Sequence, residues 1–508
     1  MFPKRRCGSR TFSLVLRSLI CGACFSLAAC GSDDSSPPPT SSTGAAAIQP
    51  TQNVQVREVP LSATGADRFL GVTTAPDGSV LAVGIRTILG TTDTEIAVAK
   101  FDSQGNLDPT FGVQGIASVN ATVGGNTSEQ ARGIVVQSDG KVVVSGVAQH
   151  DIASPTPFNL DNDVVVARFN KNGTLDTTFG NAIPPNGIAR LDLSTGVQTS
   201  ATAVRGDTSW GMAVLPNDKL IISASKITSA TGRNDNAFAA VQLTKDGILD
   251  NTFGVNNNGI AEVDVPNAND QARSVSVLPD GRIVVGGYAP GIPSAPGVVI
   301  AILYRLNSNG TFDGTFNGTC AAEVAPCPTG LVAVKNDTKK VTEAYEVGFQ
   351  SGGGYVFTGY GDSQVPTSPT TVDFLVGRLL PSGAPDATFG TGGFTLVDVA
   401  GLSDHTRALR VLSDDSILLV GQSRSTADNY DALVASVLPN GQRNNAFNGT
   451  GVRLFDFGGK SDALSGIALS PDGRTAYAVG YKSDPAPQGL DANDDARLVI
   501  LPLSLGGS

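Results

Sequence analysis

The chain has 508 residues, of which 16% are charged, and it contains 60 glycines and 29 prolines. So much glycine and proline without a collagen-like period excludes long helices and coiled coils, and favours short strands joined by tight turns. The formal net charge of −11 disfavours a nucleic-acid-binding protein, which needs a basic surface. The chain has two histidines, which leaves little room for imidazole chemistry.

The first 29 residues have the pattern of a secretory signal peptide. A positively charged start precedes an apolar stretch over 19–27. This stretch is too short for a membrane-spanning helix, which needs about 20 apolar residues. Its end, LAAC at 27–30, resembles the bacterial lipobox, in which the cysteine is acylated and becomes the mature N-terminus. The resemblance implies that Cys30 is the lipidation site. Because an acidic surface resists anionic membranes, we expect the lipid to be the only membrane attachment. An ordinary signal peptide cut near Ala29 is the alternative.

The residues after Cys30 suggest a location and a tether. Gly31 and Ser32 follow the cysteine with no aspartate at the second position, and this resembles sorting to the outer membrane. We therefore expect an outer-membrane lipoprotein that faces either the periplasm or the cell surface. Residues 30–52 are rich in serine, proline and threonine, which predicts a flexible tether.

Two further cysteines, Cys320 and Cys327, remain in the mature chain. In an oxidising compartment such a pair predicts one local disulfide. A metal site would need additional cysteine or histidine ligands, which the chain lacks.

From residue 53 onward the chain repeats one unit seven times. Six units contain a phrase like DTTFG at 176–180, and all seven contain a turn between two apolar runs, as at Asp139-Gly140. The runs are short, rich in valine, isoleucine and alanine, and bounded by glycine, aspartate or asparagine, which indicates strands. Four strands per unit are typical of a propeller blade. We therefore expect an all-β, seven-bladed β-propeller of four-stranded antiparallel blades over 53–508.

The seventh unit ends without a fourth strand, and the N-terminal end of the repeat region supplies a candidate. Residues 53–59 align with the fourth strand of the sixth unit at 451–457, and Glu58 matches Asp456. We predict that residues 53–59 complete the last blade, because this closure removes an exposed sheet edge.

The repeat is similar to that of the bacterial delta-sixty repeat family, whose members are predicted β-propellers of unassigned activity. The resemblance rests on the Asp-Gly turn and on the phrase Asn-Gly-x-Leu-Asp-x-Thr-Phe-Gly, which is clearest at 172–180. It covers essentially all of 54–508 and implies an architecture but no reaction.

The phrase ending in TFG also allows a calcium interpretation, because residues such as Asp102 and Asp108 place oxygens at loop spacing. The ligand set is not kept, however, since the first position becomes Thr244, Pro381 or Pro439 in other units. We interpret the phrase as structural, with the aspartate capping its own turn and the phenylalanine filling the gap between blades. We expect no cofactor, and calcium is the alternative.

Two rings of side chains are expected at one mouth of the central channel. At the start of the first strand the units carry Leu70, Arg132, Trp210, Arg273, Tyr345, Arg407 and Ser465. Three residues earlier they carry Asp67, Glu129, Asp207, Asp270, Thr342, Asp404 and Asp462. If residues 53–59 are outermost, the first strand of each unit is innermost, so both rings should encircle the channel.

These rings have two interpretations. In the structural one, the acids cap turns and pair with Arg132, Arg273 and Arg407 between neighbouring blades. In the functional one, Trp210 and Tyr345 stack against a polar or saccharide-like ligand, to which the arginines and acids offer hydrogen bonds.

The loops between the second and third strands are long, and chain direction puts them on the face of this mouth. They lie at 148–162, 225–234, 288–297, 361–371, 422–430 and 481–494. Long polar loops on a rigid scaffold favour binding, so this face is the candidate binding surface.

Catalysis finds little support in the sequence. No Gly-x-Ser-x-Gly elbow and no phosphate-binding glycine loop occur, and neither His150 nor His405 lies in a nucleophile motif. We expect a binding or interaction module of the cell envelope, with a protein or glycan ligand and no catalytic residues. A carboxylate-based carbohydrate hydrolase or lyase that uses the acidic ring is one alternative, and a structural envelope scaffold is another.

Overall fold

A computed structural model describes the chain from residue 47 to residue 504. Within that span it leaves out 63–64, 89, 92, 122–128, 152–159, 196, 199–203, 294, 319, 325–326, 337–339, 364–370, 400, 427–428 and 485–492. The signal peptide, Cys30 and most of the expected tether therefore lie outside the described residues, as do parts of the long loops.

The described residues form short strands in chain order. The N-terminal segment contributes β1 (Gln49–Pro50) and β2 (Gln55–Val59). Blade 1 contains β3 (Arg68–Thr74), β4 (Val80–Thr87), β5 (Thr94–Phe101) and β6 (Ile116–Val119). Blade 2 contains β7 (Glu129–Val136), β8 (Val142–Asp151), β9 (Leu160–Phe169) and β10 (Ile188–Leu191), and a small hairpin of β11 (Val197–Gln198) and β12 (Val204–Arg205) follows it.

The later blades have the same plan. Blade 3 contains β13 (Thr208–Val214), β14 (Leu220–Ile227), β15 (Asn236–Leu243) and β16 (Ile260–Val263). Blade 4 contains β17 (Gln271–Val277), β18 (Ile283–Pro290), β19 (Val299–Leu306) and β20 (Leu331–Val334). Blade 5 contains β21 (Glu346–Phe349), β22 (Tyr355–Asp362), β23 (Val372–Leu379) and β24 (Phe394–Val397). Blade 6 contains β25 (Asp404–Val411), β26 (Ile417–Thr426), β27 (Asn429–Val437) and β28 (Val452–Phe455), and blade 7 contains β29 (Ala463–Leu469), β30 (Thr475–Asp484) and β31 (Asn493–Ser504).

The strands of each blade pair antiparallel in sequence order, which makes seven separate sheets of propeller type. No described segment is helical, so none is a helix that could cross a membrane. The expected all-β, seven-bladed propeller is confirmed.

The last blade is closed by the N-terminal segment. Strand β2 pairs antiparallel with β31, from Gln55 opposite Ile500 to Val59 opposite Ala496. Val59 is 2% exposed, and the Glu58 carboxylate lies 3.1 Å from the Arg497 guanidinium. Residues 53–59 were predicted as this strand, and the pairing confirms the prediction.

The last residues of the predicted tether, which was expected to extend to residue 52, contact the propeller. Gln49 pairs with Ser504, and the Ile48 amide donates a hydrogen bond of 2.7 Å to the Asp414 carboxylate. The Ile48 side chain is buried against blades 6 and 7. Strand β31 has 12 residues and extends beyond the five of β2, so its free edge accommodates this second, shorter strand.

The hydrophobic core is divided into seven clusters, one between each pair of neighbouring blades. The phenylalanine of each TFG-type phrase lies in one of them and is at most 1% exposed: Phe111, Phe179, Phe253, Phe316, Phe389 and Phe447. The structural interpretation of these phenylalanines is confirmed, since they fill the gaps between blades.

The aspartate of the phrase caps its own turn. Asp176 Oδ1 accepts hydrogen bonds from the Thr178 amide (3.1 Å) and hydroxyl (2.7 Å), and its Oδ2 accepts one of 2.8 Å from Arg168 Nε. Asp102 Oδ1 likewise accepts from two turn amides, each at 2.9 Å. The oxygens that the calcium interpretation requires are thus engaged within the turns.

Cys320 and Cys327 form a disulfide with their Cα atoms 5.6 Å apart. The bridge closes a short loop ahead of β20, beside the cluster between blades 3 and 4.

Candidate functional site

Six of the seven innermost strands carry a one-residue irregularity at the position predicted to line the channel, and in blade 5 that position directly precedes β21. In β7, for example, Ala131 pairs with Gly146 and Gly133 with Ser145, so Arg132 is extra. The residues at this position in blades 1 to 7 are Leu70, Arg132, Trp210, Arg273, Tyr345, Arg407 and Ser465. A bulge re-aims its extra side chain, and here all seven line one cavity.

The cavity has a volume of about 250 Å³ and lies in the central channel. Arg68, Gln422 and Tyr481 line it near the start of the inner strands, and apolar residues such as Met212 and Ile467 line it further in. The second strand extends past the start of the first, since Glu129 is opposite Ala148 and β8 continues to residue 151. The loops after the second strands therefore leave from the mouth face, as expected.

Arginines and aromatic rings of blades 2 to 6 stack on one another at the mouth. The Trp210 ring centroid lies 4.0 Å from Arg132 Cζ and 3.8 Å from Arg273 Cζ. The Tyr345 centroid lies 5.2 Å from Arg273 Cζ and 4.7 Å from Arg407 Cζ. Trp210 and Tyr345 meet edge to face at 6.1 Å. The two rings thus hold guanidinium groups by cation–π contact, and their stacking against a ligand stays a prediction.

The three arginines sit close to one another. Burial, together with the positive charges of Arg407 and Arg273, lowers the pKa of Arg132 to about 9. Within the described part of the chain, no carboxylate forms a salt bridge with Arg132, Arg273 or Arg407. The predicted pairing of these arginines with the acidic ring is therefore wrong.

The acidic ring faces turns instead of the channel. Each acid accepts a hydrogen bond from an amide that follows the outermost strand of the preceding blade: Leu61 to Asp67, Ala121 to Glu129, Leu193 to Asp207, Val265 to Asp270, Val399 to Asp404 and Phe457 to Asp462. All six acids are at most 3% exposed, and none lines the cavity. The capping half of the structural interpretation is confirmed, because a short acid at this place satisfies the loop that links two blades.

Burial controls the protonation of these acids. It raises the pKa of Asp207 and of Asp404 to about 7 and that of Asp462 to about 6, against the hydrogen bonds that favour the charged form. The neighbouring Asp373 and Asp398 raise the pKa of Asp404 further.

Carboxylates also gather where blades meet. Oxygens of Asp161, Asp163 and Asp192 lie within 4.8 Å of one another, and so do those of Asp373, Asp398 and Asp404. These are the described groups with the chemistry to hold a hard divalent cation. At the corresponding place between blades 3 and 4, the Arg233 guanidinium lies between the carboxylates of Asp235 and Asp264.

A second layer of aromatic residues surrounds Tyr345. Its ring centroid lies 5.9 Å from that of Tyr288 and 5.7 Å from that of Tyr360, whose ring contacts His405 at 4.5 Å. Sequence reasoning missed the tyrosines, although a Gly-Tyr pair recurs at 287–288, 359–360 and 480–481. That repetition was the available signal, because it marks the ends of three second strands.

One buried acid does approach this cluster. Glu343 is 7% exposed, and burial raises its pKa, while hydrogen bonds to Tyr360 and Tyr345 act against the rise. The nearby Glu346 is engaged, since it accepts a hydrogen bond from Arg410 and one of 2.8 Å from the Leu409 amide.

Comparison with known proteins supports a propeller family of unknown function. Residues 75–111, 137–179 and 278–316 match a family model described as a domain of unknown function (DUF5122) beta-propeller. A comparison with curated protein sequences finds no significant match.

Several solved structures are similar to this chain at low sequence identity. The polysaccharide lyase Uly1 is 9% identical, with a TM-score of 0.48 over 88% of this chain and 99% of that one. The periplasmic gluconolactonase PpgL of Pseudomonas aeruginosa is 14% identical, with a TM-score of 0.38 over 86% and 100%. The GH93 α-L-arabinofuranosidase of Fusarium graminearum is 10% identical, with a TM-score of 0.40 over 72% and 91%.

Proposed function

We propose that this protein is a lipid-anchored binding module of the bacterial envelope whose ligand enters the mouth of the central channel. The observation that carries the proposal is the convergence of Arg132, Trp210, Arg273, Tyr345 and Arg407 on one cavity. These side chains come from five different blades, which must close correctly to bring them together, so the mouth is a preformed site on a rigid scaffold. The anchor at Cys30 and the outer-membrane location rest on the sequence of the first 32 residues.

The sole tryptophan of the chain makes the proposal testable without a label. Because Trp210 is the only tryptophan, intrinsic fluorescence reports on the mouth alone. The full chain is titrated with a panel of neutral and acidic oligosaccharides and of peptides while Trp210 emission and the melting temperature are followed. We expect one class of compound to change the emission saturably and to raise the melting temperature.

The control for this titration is Trp210→Phe, which removes the signal. A compound that stabilises both proteins but leaves Trp210 emission unchanged binds elsewhere and contradicts a site at the mouth. A panel that is silent in both measurements favours the structural scaffold.

For the alternative function, a carbohydrate-active enzyme, one candidate catalytic carboxyl remains. The acids that would have served as a catalytic pair cap turns, but Glu343 lies beside Tyr345 and Tyr360 with a raised pKa. A carboxyl that stays protonated at higher pH is suited to general-acid chemistry. Turnover of any glycan in the panel, and its loss in Glu343→Gln with binding retained, would support this second function.

A further inference from the structure

The unpaired arginines of the mouth contrast with the other buried arginines of this acidic chain. Arg168 and Arg305 each lie 2.8 Å from an aspartate, Asp176 and Asp313 respectively. Arg497 likewise lies 3.1 Å from the Glu58 carboxylate. A buried guanidinium normally has such a partner, because an uncompensated buried charge is costly. The three mouth arginines are half-buried, share one cavity and form no salt bridge with a described carboxylate, although the charges of Arg273 and Arg407 act on the nearby Glu343 carboxyl and oppose the rise of its pKa.

The stacking contacts prepare these arginines for a planar or tetrahedral anion. Trp210 and Tyr345 cover guanidinium faces at 3.8–5.2 Å, which fixes the planes of the groups. Arg273 Nη2 donates a hydrogen bond to the Tyr288 hydroxyl, and Arg407 is hydrogen-bonded to Tyr345, so these two arginines keep only part of their donors for a ligand. Arg273 Nε is buried and has no hydrogen-bond partner within the described residues. Arg132 likewise has a stacking contact but no carboxylate. Guanidinium edges bind carboxylate, sulfate and phosphate oxygens bidentately.

We propose that the mouth of the channel is an oxyanion site, in which Arg132, Arg273 and Arg407 receive a carboxylate, sulfate or phosphate group of the ligand. This inference rests on the proposed function and names the ligand class of that same site. The cavity of about 250 Å³ is slightly smaller than the range of roughly 300–1,000 Å³ that is usual for whole small-molecule ligands. The acidic group therefore enters the channel, and the remainder of a larger ligand lies outside it.

The test compares one ligand with and without its negative charge. The full chain is titrated with trigalacturonate and with its fully methyl-esterified form, and Trp210 emission is followed. Separate titrations with inorganic sulfate and inorganic phosphate determine whether the free ion suffices or the saccharide is needed. We expect saturable binding of the acid, at least tenfold weaker binding of the ester, and weaker binding of the acid as ionic strength rises.

Substitutions of the mouth arginines then test which of them bind the anion. Arg132→Gln and Arg407→Gln should each weaken acid binding at least tenfold, because each removes a charge-assisted hydrogen-bond pair. Arg132→Lys keeps the charge without the planar fork and should bind with intermediate affinity. The matched control is Arg474→Gln, since Arg474 is 65% exposed and lies away from the mouth, and it should bind like the parent.

The outcomes separate this inference from the proposed function. Equal binding of the ester and the acid, with a saturable Trp210 response, would retain a binding site at the mouth and overturn the oxyanion site. Affinities of Arg132→Gln and Arg407→Gln equal to that of Arg474→Gln would also overturn it. If the acid, sulfate and phosphate all fail to bind while a neutral compound of the panel does, the oxyanion site is wrong and the binding module stands.

Discussion

A Cβ atom on Gly71 would lie 1.9 Å from the carbonyl oxygen of Arg132 in the next blade. The contact is with backbone, so no side-chain rotation can relieve it. Four channel-lining residues are directly followed by glycine, as in Arg132-Gly133 and Trp210-Gly211. The inner strands approach each other so closely at the bulges that a side chain there would separate the blades.

Gly71→Ala should therefore destabilise the propeller by at least about 1–3 kcal/mol, the usual cost of overpacking. The measurement is urea-induced unfolding of the variant and the parent. Gly352→Ala is the matched control, because a Cβ there has no neighbour within 4 Å and the backbone has no positive φ. Identical unfolding midpoints for Gly71→Ala and the parent would show that the blades can move apart freely.

The N-terminal strand gives a second prediction. A chain that begins at residue 62 lacks β1 and β2 and exposes the edge of β31, together with the apolar surface that Val59 covers. We expect a clearly lower melting temperature and a tendency to aggregate, since an open edge can pair with another chain. A chain that begins at residue 47 keeps both strands and should melt like the parent. An unchanged melt of the shorter chain would refute the closure.

The buried acids predict an unusual dependence of stability on pH. In the folded state burial raises the pKa of Asp207 and Asp404 to about 7, whereas the same groups titrate near 3.8 when exposed. The folded protein then holds more protons than the unfolded chain between these values, so stability falls as pH rises from about 4 to 7. We expect a lower melting temperature at pH 8 than at pH 5.

A variant separates this effect from general acid sensitivity. Asp404→Asn keeps a hydrogen-bond acceptor for the Val399 amide and removes the titration, so its melting temperature should vary less between pH 5 and pH 8. Asp472→Asn changes an exposed turn acid whose pKa lies below its ordinary value, so it should keep the parent's pH dependence in that window. A stability that rises from pH 5 to pH 8 would contradict the assignment.

The disulfide should contribute modestly. Cys320 and Cys327 are separated by seven positions, and closing so short a loop restricts the unfolded chain by about 2–3 kcal/mol. Alkylation without reductant should add no mass at these residues, and Cys320→Ser with Cys327→Ser should lower the urea midpoint slightly. The single variant Cys320→Ser leaves Cys327 as a free thiol, and it is the control that shows whether alkylation detects a thiol at this place. Two alkylated cysteines in the untreated protein would exclude the bridge.

The sequence pattern predicts most of the architecture because the repeat is regular. Asp139-Gly140 and DTTFG at 176–180 recur with constant roles, so strand number, blade number and the orphan strand at 53–59 follow from alignment of the units. The alignment does not predict the contact of Ile48 with the propeller, because the extra length of β31 at this place has no counterpart in the other units. A local exception of this kind cannot be found by comparing repeats.

The site was predictable in position but not in chemistry. The spacing from the turns places Arg132 and Trp210 on the channel, yet only the bulge register decides which way each side chain points. That register turns the acids, such as Asp270, toward the preceding turn, so they form no salt bridges with the arginines. Contacts such as Arg273 on Trp210 join different blades, so their distances depend on the closure of the whole ring.

The route by which the chain enters blade 7 determines how the protein bears a mechanical load. Ile48 contacts Asp414 in the turn between β25 and β26, on the side opposite the mouth, and β2 then runs along β31. Consider a force applied at residue 48 along the strand axis. It loads the hydrogen bonds between β2 and β31 together, in shear, instead of opening them one at a time. Residue 48, where the described chain reaches the propeller, thus lies on the face opposite the mouth.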